Sequence, residues 1–553
     1  MDVKLDGGAD ETATLEKPLL SSHETEIEDK QGGQKRSVFG DIGLFPSSVK
    51  YLVWNEFCER FSFYGMKTIL ALFLLERVRL SEIQATEVVH LFIVACYATP
   101  LLGALLSDCY LGKYSTILYL SLVYSVGNWV MAIAAAPSVS EASMFPLWCT
   151  MLALGLIAFG TGGIKPCVSA FGGDQIEWSL PDGEPKNRLR RKFFSLYYFA
   201  INAGSFISTI LTPLLREDMS YATAFAVPAL LMIMAVFIFW VGRQSYVDRP
   251  PEGNIFPVVG RVTADAFRLQ KVKEAADVET DKGICIEPKH WLDSAKLKHD
   301  EIVVEDVKTL LQVLVVLLPA PLFWALFDQQ SSKWVFQARE MNGHVSWLGG
   351  LVIQPDQMQA VNPVLILVMI PLFDQVVYPL LEKLGLSLRP IQRMLAGMLL
   401  CALAFLMSGF LQLAIDSSAS TTSDVASPTS LFLHIGAERQ QVSVLWQIPQ
   451  YVLMTSGEIL FSITGLEFAY SQAPNSMKSV VQSFWLLTVA AGNLVTVLIV
   501  AVIGGKLTKA NEFFFFSGGC AFAMLLMVWL GSGFKYKSTL TTVQVGKDQA
   551  EDA

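Results

Sequence analysis

Glu56, Glu59 and Arg60 stand at i, i+3 and i+4 of the apolar run VKYLVWNEFCERFSFYGMKTILALFLL, residues 49–75. On a helix that spacing puts all three on one face, and Tyr64 and Lys67 continue the stripe one and two turns further on. The run is long enough to cross a bilayer at about 1.5 Å of rise per residue. A charge near the bilayer centre costs roughly 2.5–3.5 kcal/mol, so three together are too costly for packing alone and mark a water-filled pathway.

Further ionisable groups recur at comparable depth. Lys165 lies in FGTGGIKPCVSAF, Glu458 in LMTSGEILFSITGLEF with Glu467 nearer its end, Asp328 in FWALFDQQSS, and Asp374 in IPLFDQVVYP. His90, in EVVHLFIVACYATP, is the one histidine of six that falls in an apolar stretch. Lone charges in a membrane pair or are neutralised, which makes Lys165 and Glu458, one from each half of the chain, a candidate pair. A cavity lined this way suits a zwitterion. Arg60 and Lys165 can take a carboxylate, Arg60 with a bidentate fork. Glu458 can take an ammonium group, helped by the amides of Asn202 and Asn362. Tyr64, Tyr97, Tyr198, Trp324 and Trp485 could line the space between these poles. Carboxylates and a histidine in low dielectric also change proton affinity readily, which proton coupling requires. Taken singly, His90 also reads as a satisfied core histidine, Asp374 as a structural ion, and each aromatic as packing or an interface anchor.

The elements that must position these groups are membrane helices. Hydrophobic residues make up 52% of the 553 and charged ones 16%, against about 25% charged in a typical soluble chain. Twelve apolar stretches reach spanning length, at roughly 48–75, 84–107, 115–136, 146–171, 193–215, 221–242, 307–329, 357–381, 390–414, 444–470, 478–503 and 512–534. The polar, acidic first forty residues do not read as a cleavable signal, which leaves the first span as the targeting element. Positive residues crowd alternate loops: Lys113; Lys186, Arg188, Arg190, Arg191 and Lys192; Lys383, Arg389 and Arg393; Lys535 and Lys537. The positive-inside rule then puts both termini in the cytoplasm. The Arg188–Lys192 cluster reads as a topology determinant and not as a nucleic-acid surface. The net charge of −9 sits largely in tails and loops, and the eight cysteines are scattered without a CxxC, so neither a disulfide framework nor a metal site is expected.

The expected organisation is an acidic cytoplasmic tail at 1–45, a six-helix bundle at 46–242, a polar cytoplasmic linker at 243–306 with some helix in it, a second six-helix bundle at 307–535, and a tail at 536–553. The Ser/Thr-rich segment 417–430 reads as a flexible external loop. This is an all-α membrane protein of 12 transmembrane helices in two six-helix bundles, the arrangement of major facilitator transporters, whose substrate site lies between the halves near the bilayer midplane. Gly155, Gly160, Gly162, Gly163 and Pro166 allow close helix approach and a kink beside Lys165.

Several motifs also carry a resemblance. NEFCERFSFYGM resembles the E-x-x-E-R-F first-helix motif of the proton-coupled oligopeptide transporters, and FFSLYYFAINAGSF resembles that family's fifth-span signature. GTGGIKPCVSAFGGDQ, FWALFDQQSSKW, IQPDQMQAVNP and GLEFAYSQAPNSMKS are similar to animal-type members, and the similarity runs through roughly 45–245 and 305–535. The resemblance implies import of di- and tripeptides, and of peptide-like drugs, driven by an inward proton gradient. No cofactor beyond the proton and no enzymatic activity is implied. Arg60 and Lys165 would hold the peptide C-terminus; Glu458, Asn202 and Asn362 would hold its N-terminus. Glu56, Glu59, His90 and Glu458 would couple protons, and Tyr64, Tyr97, Tyr198, Trp324 and Trp485 would surround the substrate. Lys165, Glu458, Asp328 and Asp374 would gate, with Lys165–Glu458 forming and breaking during alternating access.

The chain departs from the family pattern in three places. Gln312 stands where animal-type members often carry an Arg, so Asp374 is expected to lack its partner. The connection between spans 9 and 10 is too short for the large extracellular domain of the mammalian intestinal type. ALLSDCYLGKYST follows the general facilitator loop motif only loosely, keeping Asp108, Gly112 and Lys113. A nitrate or anion carrier and a nutrient sensor on the same fold are the competing readings, and the retained E-x-x-E pair argues against the first. The plasma membrane is the expected location. Glu16-Lys17-Pro18-Leu19-Leu20, similar to a dileucine sorting signal, makes an endosomal or lysosomal membrane the alternative.

Overall fold

A computed structural model describes residues 45–137, 145–179, 184–248, 256–275, 290–345, 349–386, 388–423, 442–474, 477–534 and 536. The N-terminal tail with its dileucine-like motif, Cys285 and the last seventeen residues lie outside that set. The helices are, in chain order, α1 (Ser47–Glu76), α2 (Glu82–Ala98), α3 (Pro100–Leu106), α4 (Gly112–Ala134), α5 (Phe145–Ser179), α6 (Glu184–Asp218), α7 (Tyr221–Val241) and α8 (Phe256–Ala275). The second half holds α9 (Glu301–Leu317), α10 (Ala320–Phe327), α11 (Lys333–Arg339), α12 (Val361–Leu372), α13 (Tyr378–Lys383), α14 (Pro390–Ser423), α15 (Ile448–Glu458), α16 (Thr464–Gln472), α17 (Lys478–Ile503) and α18 (Lys509–Ser532). A two-residue antiparallel ribbon, His344–Val345 with Leu351–Val352, is a minor addition.

Ten of these helical stretches are long and apolar enough to cross a membrane, and the bent stretch Glu301–Arg339 supplies an eleventh. At 30 residues α1 is equally long, and only its charges set it apart by composition. The buried apolar side chains fall into two clusters, one drawn mainly from α1–α7 and one from α8–α18, so each half has a core of its own.

Three local features differ from the sequence expectation. The seventh span, expected to end near 329, continues to Arg339 through a bend of 46°. Pro319 and Pro321 remove backbone donors at the break, and the chain then tightens into a 3-10 turn at Asp328–Ser331, so Asp328 sits inside the span and not at its end. Helix α6, which carries the fifth span at Lys192–Asp218, begins earlier, at Glu184, so the basic cluster 188–192 lies in helix ahead of the apolar stretch instead of in a loop. Likewise α14 runs on to Ser423 through the first part of the Ser/Thr-rich segment; 424–441 lies outside the described residues.

Small residues set how closely the helices approach in both halves. A Cβ on Gly103 would fall 2.1 Å from the Gly163 carbonyl oxygen, and one on Gly397 would fall 2.7 Å from that of Gly457. Lys165 and Glu458 follow directly on these two contacts, so backbone-on-backbone packing fixes the helices that carry them. Glu458 is then followed by a π-helical turn, Ile459–Ile463, and Asp374 lies in another, Phe373–Val377.

The linker is partly helical, as expected. Val262 and Ala266 of α8 and Leu292 and Ala295 of a 3-10 turn (Trp291–Leu297) are buried in the second half's core. Asp293 accepts hydrogen bonds from the His290 backbone N–H at 2.9 Å and from Lys308 Nζ on α9. Burial pushes its carboxyl up, but the Lys308 and His290 hydrogen bonds and the charges of Lys308 and Lys296 outweigh that and hold it below the usual range.

Candidate functional site

The charged face of α1 is buried as a unit. Glu56 is 1% and Glu59 2% exposed. Arg60 Nε donates to Glu56 Oε1 at 2.7 Å and lies 3.2 Å from Glu59 Oε2, while Thr161 on α5 donates to Glu59 Oε1 at 3.0 Å. Arg60 makes its closest approach to each carboxylate through Nε, behind the terminal fork of its guanidinium. That fork is the part of the side chain suited to an incoming carboxylate.

Lys165 does not reach Glu458. Its Nζ sits 4.1 Å from the ring centroid of Tyr97 and 4.9 Å from that of Phe63. Ring faces stabilise a cation without supplying a counter-charge, so Lys165 is held near Arg60 by the two rings and not by a carboxylate. Glu458 instead accepts from Asn362 Nδ2 at 2.8 Å, and the same amide group contacts Thr455 Oγ1 at 3.1 Å. The expected pair is therefore separated in this conformation. Asn202 donates its amide to the Tyr198 carbonyl one turn back at 2.8 Å, and Tyr198, 49% exposed, is close enough to Glu458 to feel its charge.

The aromatic lining is an interlocked group in the second half. Trp324 meets Trp485 edge-on at 6.0 Å, and Phe461 stacks on Trp485 at 6.1 Å. Trp324 Nε1 is buried without a hydrogen-bond partner, a donor held at the wall of the site. Tyr64 packs edge-on against Phe63 at 5.3 Å.

His90, Asp328 and Lys67 come together in a cluster that joins the two halves. His90, fully buried, lies 2.6 Å from Asn493 Oδ1 through Nδ1 and 3.0 Å from Ser332 Oγ through Nε2. Asn493 Nδ2 donates to Asp328 Oδ2 at 2.7 Å, and Lys67 Nζ stands 3.5 Å from Asp328 Oδ1. Towards the same end of the molecule, Arg216 grips the fully buried Asp356 with two bonds, at 3.1 and 3.3 Å. Gln359 Nε2 donates to the Thr68 carbonyl at 3.0 Å, and Lys509 reaches Glu82 at 2.8 Å. These contacts pin the halves at the end that carries Glu76, whereas Lys165 and Glu458 stay apart. One end is closed, and the charged groups below it are unpaired across the interface.

Asp374, expected to be without a partner opposite Gln312, is not unpartnered. It lies beyond Pro371 in its π-helical turn, towards the other end from the His90 cluster, so it takes no part in that closure. Sequence reasoning passed over Asn493, Ser332, Arg216, Asp356 and Phe461. Ser332 and Asp356 stood inside quoted motifs, and Asn493 is a lone amide in the apolar run TVAAGNLVTV, which is a signal in itself. Among the described residues no group of His, Cys, Asp and Glu could hold a metal ion.

Residues 114–513 match the model of the POT family, PTR2. The chain is 34% identical to peptide transporter family 1 of Drosophila melanogaster, over 89% of this chain and 88% of that one. It is 32% identical to human solute carrier family 15 member 2, over 89% and 90%. The first alignment is 677 positions long against a chain of 553, so the fly protein carries residues this chain lacks, consistent with the short connection between spans 9 and 10. Among solved structures, an auto-inhibited POT family peptide transporter superposes with a TM-score of 0.72 at 30% identity, covering 90% of this chain and 98% of that one. The POT family transporter PepTSo does so with 0.71 at 33%, covering 88% and 98%.

Proposed function

The chain belongs to the POT family of proton-dependent oligopeptide transporters, and on that premise we propose how its residues divide the work. It is a peptide transporter of the 12-helix major facilitator fold, not an enzyme. The C-terminal carboxylate of a di- or tripeptide binds between the terminal nitrogens of Arg60 and Lys165. Its ammonium group binds Glu458, steadied by Asn362 and, after a local rearrangement, Asn202. Tyr64, Tyr97, Tyr198, Trp324 and Trp485 border the side-chain space, which suits peptide-like drugs that keep both termini. The observation that carries this reading is the separation of two charged poles that do not pair with each other: Arg60 with Lys165 on the first half, and Glu458 on the second.

Glu56, Glu59, His90 and Glu458 handle the proton. With His90 bonded to Asn493 and Ser332, the end bearing Glu76 is closed. Lys165–Glu458 closes the other end in the opposite state, and Asp328 gates through Lys67. By the positive-inside rule the closed end is the outer one and both termini are cytoplasmic, with the bundles at 46–242 and 307–535 joined by the cytoplasmic linker. The protein is multi-pass. Its membrane is the plasma membrane on this reading, with the dileucine-like motif supporting the endosomal or lysosomal alternative. The test is uptake of a hydrolysis-resistant labelled dipeptide into liposomes holding the purified protein, with and without an inward proton gradient. Gradient-stimulated uptake competed by tripeptides but not by single amino acids or nitrate is expected. Competition by nitrate would overturn the substrate assignment.

A further inference from the structure

The turn between spans 8 and 9 is held by its own hydrogen bonds. Gly385 takes φ +76°, a conformation glycine adopts without strain, and its N–H donates to the Glu382 carbonyl at 2.9 Å. The Leu386 N–H donates to the Leu381 carbonyl at 2.9 Å, which completes a Schellman stop to α13 and brings Leu386 back towards Leu381. From the other side, Arg393 Nε on α14 donates to the Leu388 carbonyl at 3.1 Å, and the Arg389 N–H donates to Gln392 Oε1 at 2.9 Å. The Arg393 guanidinium lies over the Tyr378 ring, 4.7 Å from its centroid. One side chain therefore ties span 8, the turn and span 9 together.

Tyr378, Leu381, Glu382, Leu386, Leu388 and Arg393 line a recess of about 40 Å³. That is room for about three water-sized groups, the scale of the oxygens on one phosphate. Arg393 pairs with no carboxylate among the described residues, Glu382 included. Lys383 and Arg389 are exposed on the same turn, so three positive charges stand there against the one of Glu382. Leu380, Leu384 and Leu386 are 54, 65 and 53% exposed. The turn thus offers apolar side chains to acyl chains and cations to an anion, at the end that the positive-inside rule makes cytoplasmic. The cytoplasmic leaflet is the one that carries anionic phospholipids, which have both parts in one molecule.

We propose that this turn binds one anionic phospholipid of the inner leaflet, with the lipid phosphate in the recess on the terminal nitrogens of Arg393. Lys383 and Arg389 meet the headgroup, and Leu380, Leu384 and Leu386 meet the acyl chains. A guanidinium can hold two phosphate oxygens at once, and the Tyr378 ring fixes its plane for that. The bound lipid staples span 8, which carries Asn362, to span 9. The site is separate from the peptide path and rests on the proposed topology only for its leaflet.

The test is native mass spectrometry of the full-length protein in detergent, titrated with dioleoyl-phosphatidylserine or dioleoyl-phosphatidylcholine. One phosphatidylserine is expected to bind about tenfold more tightly than phosphatidylcholine. Arg393→Gln lowers the phosphatidylserine affinity about tenfold, and Arg393→Lys, which keeps the charge and loses the fork, recovers only part of it. The double variant Lys383→Gln, Arg389→Gln changes two exposed side chains without touching the fold and lowers it about threefold. Excess inorganic phosphate leaves the lipid bound. Equal affinity for the two lipids, or unchanged affinity in both Arg393→Gln and the double variant, overturns the site. Displacement by inorganic phosphate makes the recess a soluble-anion site and overturns the lipid assignment. Detergent imposes no orientation on the protein, so failure of the site is distinguishable from failure of the topology.

Discussion

Asn362 donates to Glu458 at 2.8 Å, occupying the carboxylate that the charge pattern alone would have given to Lys165. An amide satisfies a carboxylate without cancelling its charge. Glu458 therefore stays available to an ammonium group while remaining hydrogen-bonded in the empty site.

Glu458→Gln tests that arrangement, because glutamine fills the same volume and still accepts from Asn362. Removing one charge-assisted hydrogen bond to substrate corresponds to roughly 1.5–3 kcal/mol, so dipeptide uptake at sub-saturating concentration falls by about tenfold or more. Binding of an N-acetylated dipeptide, which has no ammonium to lose, is the internal control and is expected to change little. Equal loss for both ligands would place Glu458 in the fold or the gate instead.

Asn493 links His90 to Asp328 and so ties the first half to the second. Asn493→Ala breaks that link, with a cost of about 1–3 kcal/mol for the buried groups left unbonded. The closed state of the end bearing Glu76 loses population accordingly, by about fivefold or more. Spin labels on Gln84 and Asn511, exposed near that end on opposite halves, read the change as a new long-distance component. A distance distribution identical to that of the unsubstituted protein would show that other contacts hold the end shut.

How much of this was legible before the structure follows from the physics of each feature. Spacing alone put Glu56, Glu59 and Arg60 on one face, because i, i+3, i+4 geometry holds for any straight helix. Hydropathy located the spans, because apolar length is what a bilayer selects. Partner choice was not legible. Lys165 with Glu458 was a pairing by charge, and nothing in one dimension says that an aromatic pair will take the cation while an amide takes the anion. The continuation of span 7 past Asp328 was hidden for another reason: polar Gln329, Gln330, Ser331 and Ser332 look like a loop, yet all are buried within the protein. Asp356, fully buried at the start of a span, was masked by its Pro-Asp-Gln context, which reads as a turn.

Arg216 and Asp356 form a buried two-point ion pair between the halves. Removing one partner strands the other charge, which typically costs 3–5 kcal/mol, whereas removing both costs far less. Arg216→Met and Asp356→Asn should each lower the melting temperature of the detergent-purified protein. The double variant should be no worse than the poorer single, a strongly non-additive cycle. Additive losses would mean that the two side chains act separately.

The linker supplies a pH-dependent case outside the membrane. The Asp293 carboxyl lies below its usual range because the Lys308 and His290 bonds outweigh the effect of burial. A carboxylate depressed in the folded state contributes its full stabilisation above its ordinary titration, near pH 4, and loses it as the pH falls through the folded value. Docking of α8 on α9 should therefore be insensitive to Asp293 titration between about pH 5 and 8 and should loosen only below about pH 4. Asp293→Asn removes the charge at every pH, with a cost of about 1 kcal/mol at neutral pH for a partly solvated contact. Hydrogen exchange across residues 256–275 measures this directly: the variant at pH 7 should exchange several-fold faster than the unsubstituted protein, after correction for intrinsic rates. Unchanged protection in the variant would show that Val262, Ala266, Leu292 and Ala295 hold the linker by apolar packing alone.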